Sequence, residues 1–387
     1  MMKKFMLLLT LLVAFICSLL LIINLTILLL SVTNSSKKAD FVAVGDNLIH
    51  PVVYNNAKTA AHSYDFKPMY AAIKSYIKDK DVAFVNQESP MGGDDIPYSG
   101  FKRFNTPSSV AKDLVDTGFN LINGSNNHSL DQGTHGVEQR IQTWNKYKKE
   151  ALFTGTFNSK ESRDKIHVFK SKGIKISLLS YTFGTNGLKT DKPYQINYFN
   201  KTQMKKDIHK AKKHSDLVMV SAHWGNEGKH KPNKMQRHYA QFLANQNVDV
   251  VLGTHPHVIQ PVKWIQGKSN HKTLVAYSLG NFLNGQETGT ESNHLGGSIQ
   301  FDIKKQLGQT YIDNVKWRSI VNHYETQNQR LGSLKKNFEL YMLDDYTNNL
   351  AKKHGVKYQD DSHMSKAHLN EITKNVIDDE FLDKASY

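Results

Sequence analysis

Apolar positions along this chain come as short runs, each closed by a polar turn and followed by apolar residues at helical spacing. The runs at 41–44, 82–85, 217–220 and 274–277 are continuous, the pattern of strands buried on both faces in a parallel sheet, and those at 119–122, 174–179 and 248–252 are mainly apolar with Asn120, Lys175 and Ser177, and Asp249 inside them. Between them, Val137, Ile141 and Trp144 fall at i, i+4, i+7, as do Met235, Tyr239 and Phe242. Thr106 followed by Pro107, with Gly118 beyond, reads as the start and stop of another helix. Strand and helix alternating at this interval predict βαβ units and an α/β fold.

The two ends depart from the pattern. Lys3 and Lys4 precede an apolar segment running from Phe5 to about Val32. A bilayer core needs roughly 20 helical residues, and a cleavable signal has an apolar stretch of only about 7 to 15, so this is read as a signal anchor. No small-x-small site precedes Ser35, and Ile16 before Cys17 does not suit lipoprotein cleavage. The two lysines favour a cytoplasmic N-terminus, giving a single-pass protein with the bulk of the chain extracellular. Beyond about Glu325 the ligand-type turns cease. Leu334, Phe338 and Tyr341 suggest one helix ending near Gly355, and Leu369, Ile372 and Val376 another. The expected division is 1–36 for anchor and linker, 37–325 for the main domain and 326–387 for a C-terminal helical tail.

Composition narrows the chemistry. The 387 residues carry 50 Lys and Arg against 35 Asp and Glu, a net +15, with 39% apolar and 22% charged residues, which is globular composition. No zinc-finger spacing, RNA-binding aromatic signature or isolated basic tail points to nucleic acid. An anionic envelope polymer or a lipid surface would suit the positive charge, while any one basic run, such as 201–213, reads first as a solvated helix face. The single cysteine, Cys17, lies in the apolar segment. Any metal site must therefore be built from nitrogen and oxygen.

The turns after the strands supply such donors. Asp46 and His50 follow the first run, Asn86 and Glu88 the second, Asn127, His128 and Asp131 the third. His223 and Glu227 come next, then His255, His257 and Gln260, then Asn281. Singly, each has a structural explanation as turn residue, helix cap or satisfied histidine. Together, at the carboxyl ends of neighbouring parallel strands, they would gather along one edge, where open α/β sheets place their ligands. In extended backbone, residues two apart face the same way, so His255 and His257 would point to one place. The set suits Mn, Fe or Zn. Two ions about 3.5 to 4 Å apart serve in-line displacement at a phosphoester, and Glu88 or Asp46 could bridge them. His128 would suit protonation of a leaving oxygen, with Asp131 fixing its tautomer.

The ordered series Gly45-Asp46, Asn86-x-Glu88, Asn126-Asn127-His128-x-x-Asp131-x-Gly133, His223-Trp224-Gly225-x-Glu227, Gly253-x-His255-Pro256-His257-Val258-x-Gln260 and Ser278-Leu279-Gly280-Asn281-Phe282 resembles the CapA/PgsA capsule-synthesis proteins of poly-γ-glutamate biosynthesis. The resemblance spans about Asp40 to Phe282. It implies a calcineurin-like metallophosphatase fold, a sandwich of two mixed β-sheets flanked by helices, in a membrane-anchored protein working beside the membrane subunits of a polyglutamate synthase. Carried over by motif, Asp46, Glu88 and His257 would hold one divalent metal, and Glu88, Asn127, His223 and His255 a second, with His128 as the acid. His50, Asn86, Glu227, Gln260 and Asn281 are further metal or substrate candidates. This chain departs from classical phosphoesterases, which carry Asp-x-His in the first motif, because His50 lies four residues after Asp46. Glu88 stands in place of the usual bridging Asp, and Lys263 where an acidic residue often follows the His-Pro-His segment.

Three functions compete: a metal-binding accessory protein for export or elongation of poly-γ-glutamate, an outward-facing phosphoesterase of a lipid-linked or envelope phosphate, and a degenerate scaffold that needs no metal.

Overall fold

The computed structural model describes residues 2–33, 36–328, 330, 333–359 and 361–384. Among these, the strands in chain order are β1 (Lys37–Leu48), β2 (Lys58–Ala60), β3 (Ser63–Tyr64), β4 (Val82–Gln87), β5 (Leu121–Asn123), β6 (Leu152–Thr154), β7 (Val168–Ser171), β8 (Ile174–Thr182), β9 (Leu217–His223), β10 (Val250–Thr254), β11 (Ile259–Gln266), β12 (Lys272–Leu279), β13 (Asn281–Asn284), β14 (Leu295–Gln306), β15 (Gln309–Thr326) and β16 (Lys335–Met342). All seven apolar runs lie in or overlap strands.

Two mixed sheets form. The first has the order β16-β15-β14-β1-β4-β5-β6, with β13 added beside β1; the second has the order β11-β12-β10-β9-β8-β7. In the first, β1, β4, β5 and β6 are parallel. In the second, β8, β9, β10 and β12 are parallel, between antiparallel edges β7 and β11. The sheets face one another across a core that takes Phe41 and Ala43 from β1, Phe84 from β4, Met219 from β9, Leu252 from β10 and Trp317 from β15. The alternate residues Val42, Val44, Ala83 and Val85 pack outward under helices Pro51–Ala57 and Ser109–Thr117. Val220, Val251 and Val275 do the same under Lys201–His214 and Lys234–Asn245. Burial on both faces is the reason these strands read as apolar runs.

The parallel strands put chemistry at one edge only. Each polar turn noted in the sequence follows a carboxyl end, and the two sheets meet there. The chain leaves β12 at Gly280, which takes φ +65°, and enters β13 of the other sheet, where Asn281 pairs with Asp46. Gly45 passes so close that a Cβ on it would lie 1.8 Å from the Gly280 carbonyl oxygen. The adjacent Asp46 N–H donates to that oxygen at 2.9 Å.

The helix expected from Thr106 spans Ser109–Thr117, starting later than the proline suggests, and closes at Gly118 with φ +120°. The tail differs more. Residues 335–342, expected as a helix through Leu334, Phe338 and Tyr341, form β16, antiparallel to β15, so the first sheet continues past 325. Phe338, Leu340 and Met342 are its buried positions, a period of two that outweighs the helical spacing. Helices do follow at Asn348–Lys353 and Lys366–Val376. Leu369 and Phe381 enter the central core, so this segment packs rather than projects. At the other end a helix covers Met2–Thr33, and its residues 2–26 are long and apolar enough to cross a membrane, with none buried.

Replacing Gly45 by alanine forces backbone apart at the junction of the sheets. Gly45→Ala is expected to lower unfolding stability by at least about 2 kcal/mol in chemical denaturation of the detergent-solubilised chain.

Candidate metal centre

Glu88, immediately after β4, is fully buried, yet neither of its carboxylate oxygens has a hydrogen-bond partner. What surrounds it is a ring of metal-type donors. His223 Nε2 lies 3.6 Å and His257 Nε2 3.7 Å from Glu88 Oε1. Donor atoms of Glu88, His255 and His257 fall within 4.8 Å of one another, and so do those of Asp46, Glu88 and His223. Glu88 is common to both groups. Asn127 Oδ1 lies 2.9 Å from His223 Nε2, and the buried His255 Nδ1 has no partner.

Two donors each about 2.1 Å from one ion lie about 3.0–3.6 Å apart, close to these separations. An unpartnered buried carboxylate costs far more than one that is paired or coordinated. The residues present therefore fit a divalent metal.

The electrostatics divide the set: His223 and His255 are held in the ligating form, while Glu88 and His257 are shifted towards protonation. Burial, then the Asp46 charge, push the Glu88 carboxyl well above the usual carboxylate range, against the pull of His257. Burial and the neighbouring imidazoles hold His223 and His255 well below the ordinary histidine value, hence in the neutral form that ligates metal. For His257 burial pulls down, but Glu88 and Asp46 outweigh it and raise the group to about 10.

His255 and His257 do converge, with ring centroids 5.8 Å apart. The expected extended backbone is not how. His255 has φ +95° and His257 φ +58°, left-handed conformations that cost of order 1–3 kcal/mol each in a non-glycine residue. Compensation is local: His255 N–H donates to Asp46 Oδ2 at 3.1 Å, and Asn281 Oδ1 sits 3.0 Å from His257 Nδ1. Asp46 Oδ2 is also 3.2 Å from that nitrogen, which leaves Nε2 facing Glu88.

The remaining candidates sort by what they touch. Asn86 donates to Asp46 Oδ1 at 2.7 Å and accepts from Asn123 at 2.8 Å, so both ends of its amide are used in holding Asp46. Asn281 likewise braces His257. Gln260 is a structural tie, not a ligand: it donates to the Lys229 carbonyl at 2.6 Å and accepts from Gln236 at 2.7 Å. His50 stays outside both donor groups; its Nδ1 meets the Leu48 carbonyl at 3.0 Å and the Gly285 N–H at 3.1 Å, and burial lowers it to about 3. Glu227 is exposed and in neither group. His128 Nδ1 lies 2.7 Å from Asp131 Oδ2, which also accepts the Phe104 N–H at 2.7 Å. Since a carboxylate accepts, Nδ1 carries the proton and Nε2 is free to exchange one.

Four contributors carry no ligand signature in the sequence. Phe104 stands edge-on between His50 and His128, at 5.2 and 4.7 Å. Arg140, fully buried, donates to the carbonyls of Gly124 and Ser129 at 2.8 and 2.7 Å and so fixes the loop bearing Asn127 and His128. From the turn after β8, Phe183 packs 4.8 Å from the His255 ring, and Asn186 reaches Asn127 at 3.3 Å and His128 Nδ1 at 3.4 Å. Only Arg140 leaves a trace, as a charge at i+3 from Val137 on the face of the apolar stripe with Ile141 and Trp144.

Comparison with known proteins adds the following. A family model described as bacterial capsule synthesis protein PGA_cap matches residues 40–286. The PGA biosynthesis protein CapA of Bacillus subtilis (strain 168) is 31% identical over 208 residues, 52% of this chain and 51% of that protein. The capsule biosynthesis protein CapA of Bacillus anthracis is 26% identical over 259 residues, 64% of this chain and 60% of that protein. The chain thus spans less than two thirds of the length of either relative. Among solved structures, a phosphatase from Mycoplasma pneumoniae aligns at TM-score 0.47 and 13% identity, over 73% of this chain and 94% of that one. The calcineurin-like phosphoesterase YfkN of Bacillus subtilis aligns at TM-score 0.43 and 12% identity, over 73% and 90%. Both are loose likenesses.

Removing a brace should weaken metal binding without unfolding the chain. Asn86→Ala and Asn281→Ala are expected to raise the dissociation constant for Mn²⁺ or Zn²⁺ about 10- to 100-fold by equilibrium dialysis. Gln260→Ala is expected to lower the melting temperature while changing that constant by less than about twofold.

Proposed function

From the premise that this chain belongs to the bacterial capsule synthesis family, we propose that it is a membrane-anchored, outward-facing protein of poly-γ-glutamate synthesis or export, with a two-metal phosphatase-like site. The observation that carries the metal part is Glu88: a fully buried carboxylate without a hydrogen bond, shared by two groups of histidine and carboxylate donors. Asp46, Glu88, Asn127, His223, His255 and His257 would hold two divalent ions, Mn, Fe or Zn by donor chemistry. Ions bound there supply Lewis acidity toward an anionic phosphoryl or carboxylate group.

The chain's own residues do the rest. Asn86 and Asn281 hold Asp46 and His257 in place. The His128–Asp131 pair presents Nε2 for proton exchange, with Asp131 fixing the orientation of the ring through Nδ1. Phe104 and Phe183 flank His128 and His255 and limit water on those sides. The same pair favours the second reading, a phosphoesterase acting on an envelope phosphate, because a metal-binding role alone does not need a general acid. Membrane subunits of a polyglutamate synthase are the partners proposed for the first reading, with Met2–Thr33 as the anchor and the positive-inside bias of Lys3 and Lys4 placing residues after Ser36 outside.

Deletion of the gene in its host is expected to abolish surface polyglutamate, restored by the wild type and not by Glu88→Ala at equal protein level. The purified chain should hold at least one equivalent of transition metal by elemental analysis, lost in His223→Ala and His255→Ala. Wild type with less than one equivalent would point to a scaffold. Turnover of simple phosphate esters, absent in both variants, would favour the phosphoesterase.

A further inference from the structure

The edge opposite the metal donors has its own character. The connections at the amino ends of the parallel strands, residues 78–81, 118–120, 146–150, 172–175, 210–216, 246–249, 266–272 and 304–309, together with Lys37 and Lys38, contain sixteen lysines against five carboxylates, and Asp40, Asp302 and Asp313 on the adjoining strands pair with Lys38 and Lys304. Contacts between the sheets put these connections on one side: Lys37 Nζ reaches the Gly173 carbonyl at 3.5 Å, and Lys305 pairs with Asp216 at 2.8 Å.

The same edge is where the N-terminal helix joins the body. That helix ends at Thr33 and β1 starts at Lys37, so only residues 34–36 intervene, a reach of at most about 14 Å. Lys37 is paired with Lys305. The turn joining β14 to β15 therefore lies beside the entry point, and it carries Leu307, 63% exposed at φ +51°, with Tyr311 45% exposed behind it. An exposed leucine and tyrosine within a field of lysines, next to the exit of an apolar helix, match what a bilayer interface selects.

We propose that this lysine-rich edge, tipped by Leu307, lies on an anionic lipid surface. It rests on the anchored reading above and extends it: β1 runs nine residues from Lys37 to Asp46, about 30 Å at strand rise, so docking of this edge turns the metal donors away from the lipid. The site then serves a chain or soluble anion at a distance from the bilayer, and a phosphate in the headgroup layer is out of its reach.

The test uses the full chain with Cys17→Ser, since Cys17 is the only cysteine. A fluorophore is placed at Leu307→Cys or, on a turn at the carboxyl edge, at Lys231→Cys. Each labelled protein is reconstituted into phosphatidylglycerol–phosphatidylcholine vesicles containing a doxyl-lipid quencher. Quenching of the Leu307 probe is expected to exceed that of the Lys231 probe by at least about threefold, and the difference should shrink in pure phosphatidylcholine or in high salt. It should shrink also in the Lys149→Gln, Lys213→Gln, Lys268→Gln variant. A chain that floats with the vesicles but quenches equally at both positions overturns the docking surface and leaves the anchor standing. A chain that does not float overturns the anchored reading beneath it. Quenching at Leu307 that ignores lipid charge overturns the role given to the lysines.

Discussion

The contact on which the arrangement depends is the backbone crossing of Gly45 and Gly280. It admits no Cβ at Gly45, and it is where β1 of one sheet and the exit from β12 of the other come within hydrogen-bond distance. Donors from the first sheet, Asp46 and Glu88, can meet donors from the second, His223, His255 and His257, only if the two carboxyl edges are this close. A side chain at the crossing would part them by more than a metal–ligand bond tolerates. Gly280 adds a left-handed φ that lets the chain leave one sheet and at once pair with the other, delivering Asn281 to the back of His257.

Bringing those donors together has a cost that the protein meets with positioning groups rather than with bonds to Glu88. Two histidines in left-handed conformations and a carboxylate with no partner are each unfavourable by of order a kilocalorie per mole or more. Several neighbours that might have relaxed them are committed elsewhere. Asn86 is held between Asp46 and Asn123, Thr254 lies 2.9 Å from the far nitrogen of His223, and Arg140 locks the Asn127 loop from beneath. Such over-determination keeps unused valences pointing inward, and cation binding is the interaction that would use them.

How far the sequence discloses this follows from the kind of signal each residue leaves. Strands buried on both faces write themselves as apolar runs, so the core of both sheets and the edge carrying Asp46, Glu88, Asn127, His223 and His255 are legible. The convergence of His255 and His257 is legible too, but through the wrong geometry, because alternation along a strand and a pair of left-handed turns can aim two rings alike. β16 was hidden by coincidence: Leu334, Phe338 and Tyr341 fit a helix, while the period-two set Phe338, Leu340, Met342 is the one that gets buried. Gln260 sits in the right motif but spends its amide on Lys229 and Gln236. Phe183 and Asn186 were invisible because their contribution comes from a turn with no acidic or imidazole residue, set by the path of the loop after β8.

The distribution of charge changes what the net +15 means. Read as composition, a basic domain suits a polyanionic substrate. In the fold, sixteen of the lysines crowd the edge that lies about nine strand residues from the metal donors, roughly 30 Å and several Debye lengths at physiological salt. At that separation their field at the site is largely screened. Whatever draws an anion to Glu88 and its histidines is therefore nearer to them: the cations those donors would hold and the groups around them. The lysines are placed for the opposite edge, and the strand that follows the N-terminal apolar helix begins there. Much of the lysine charge and the donor cluster thus sit at opposite ends of the same parallel strands, and a basic isoelectric point does not by itself identify the substrate of this site.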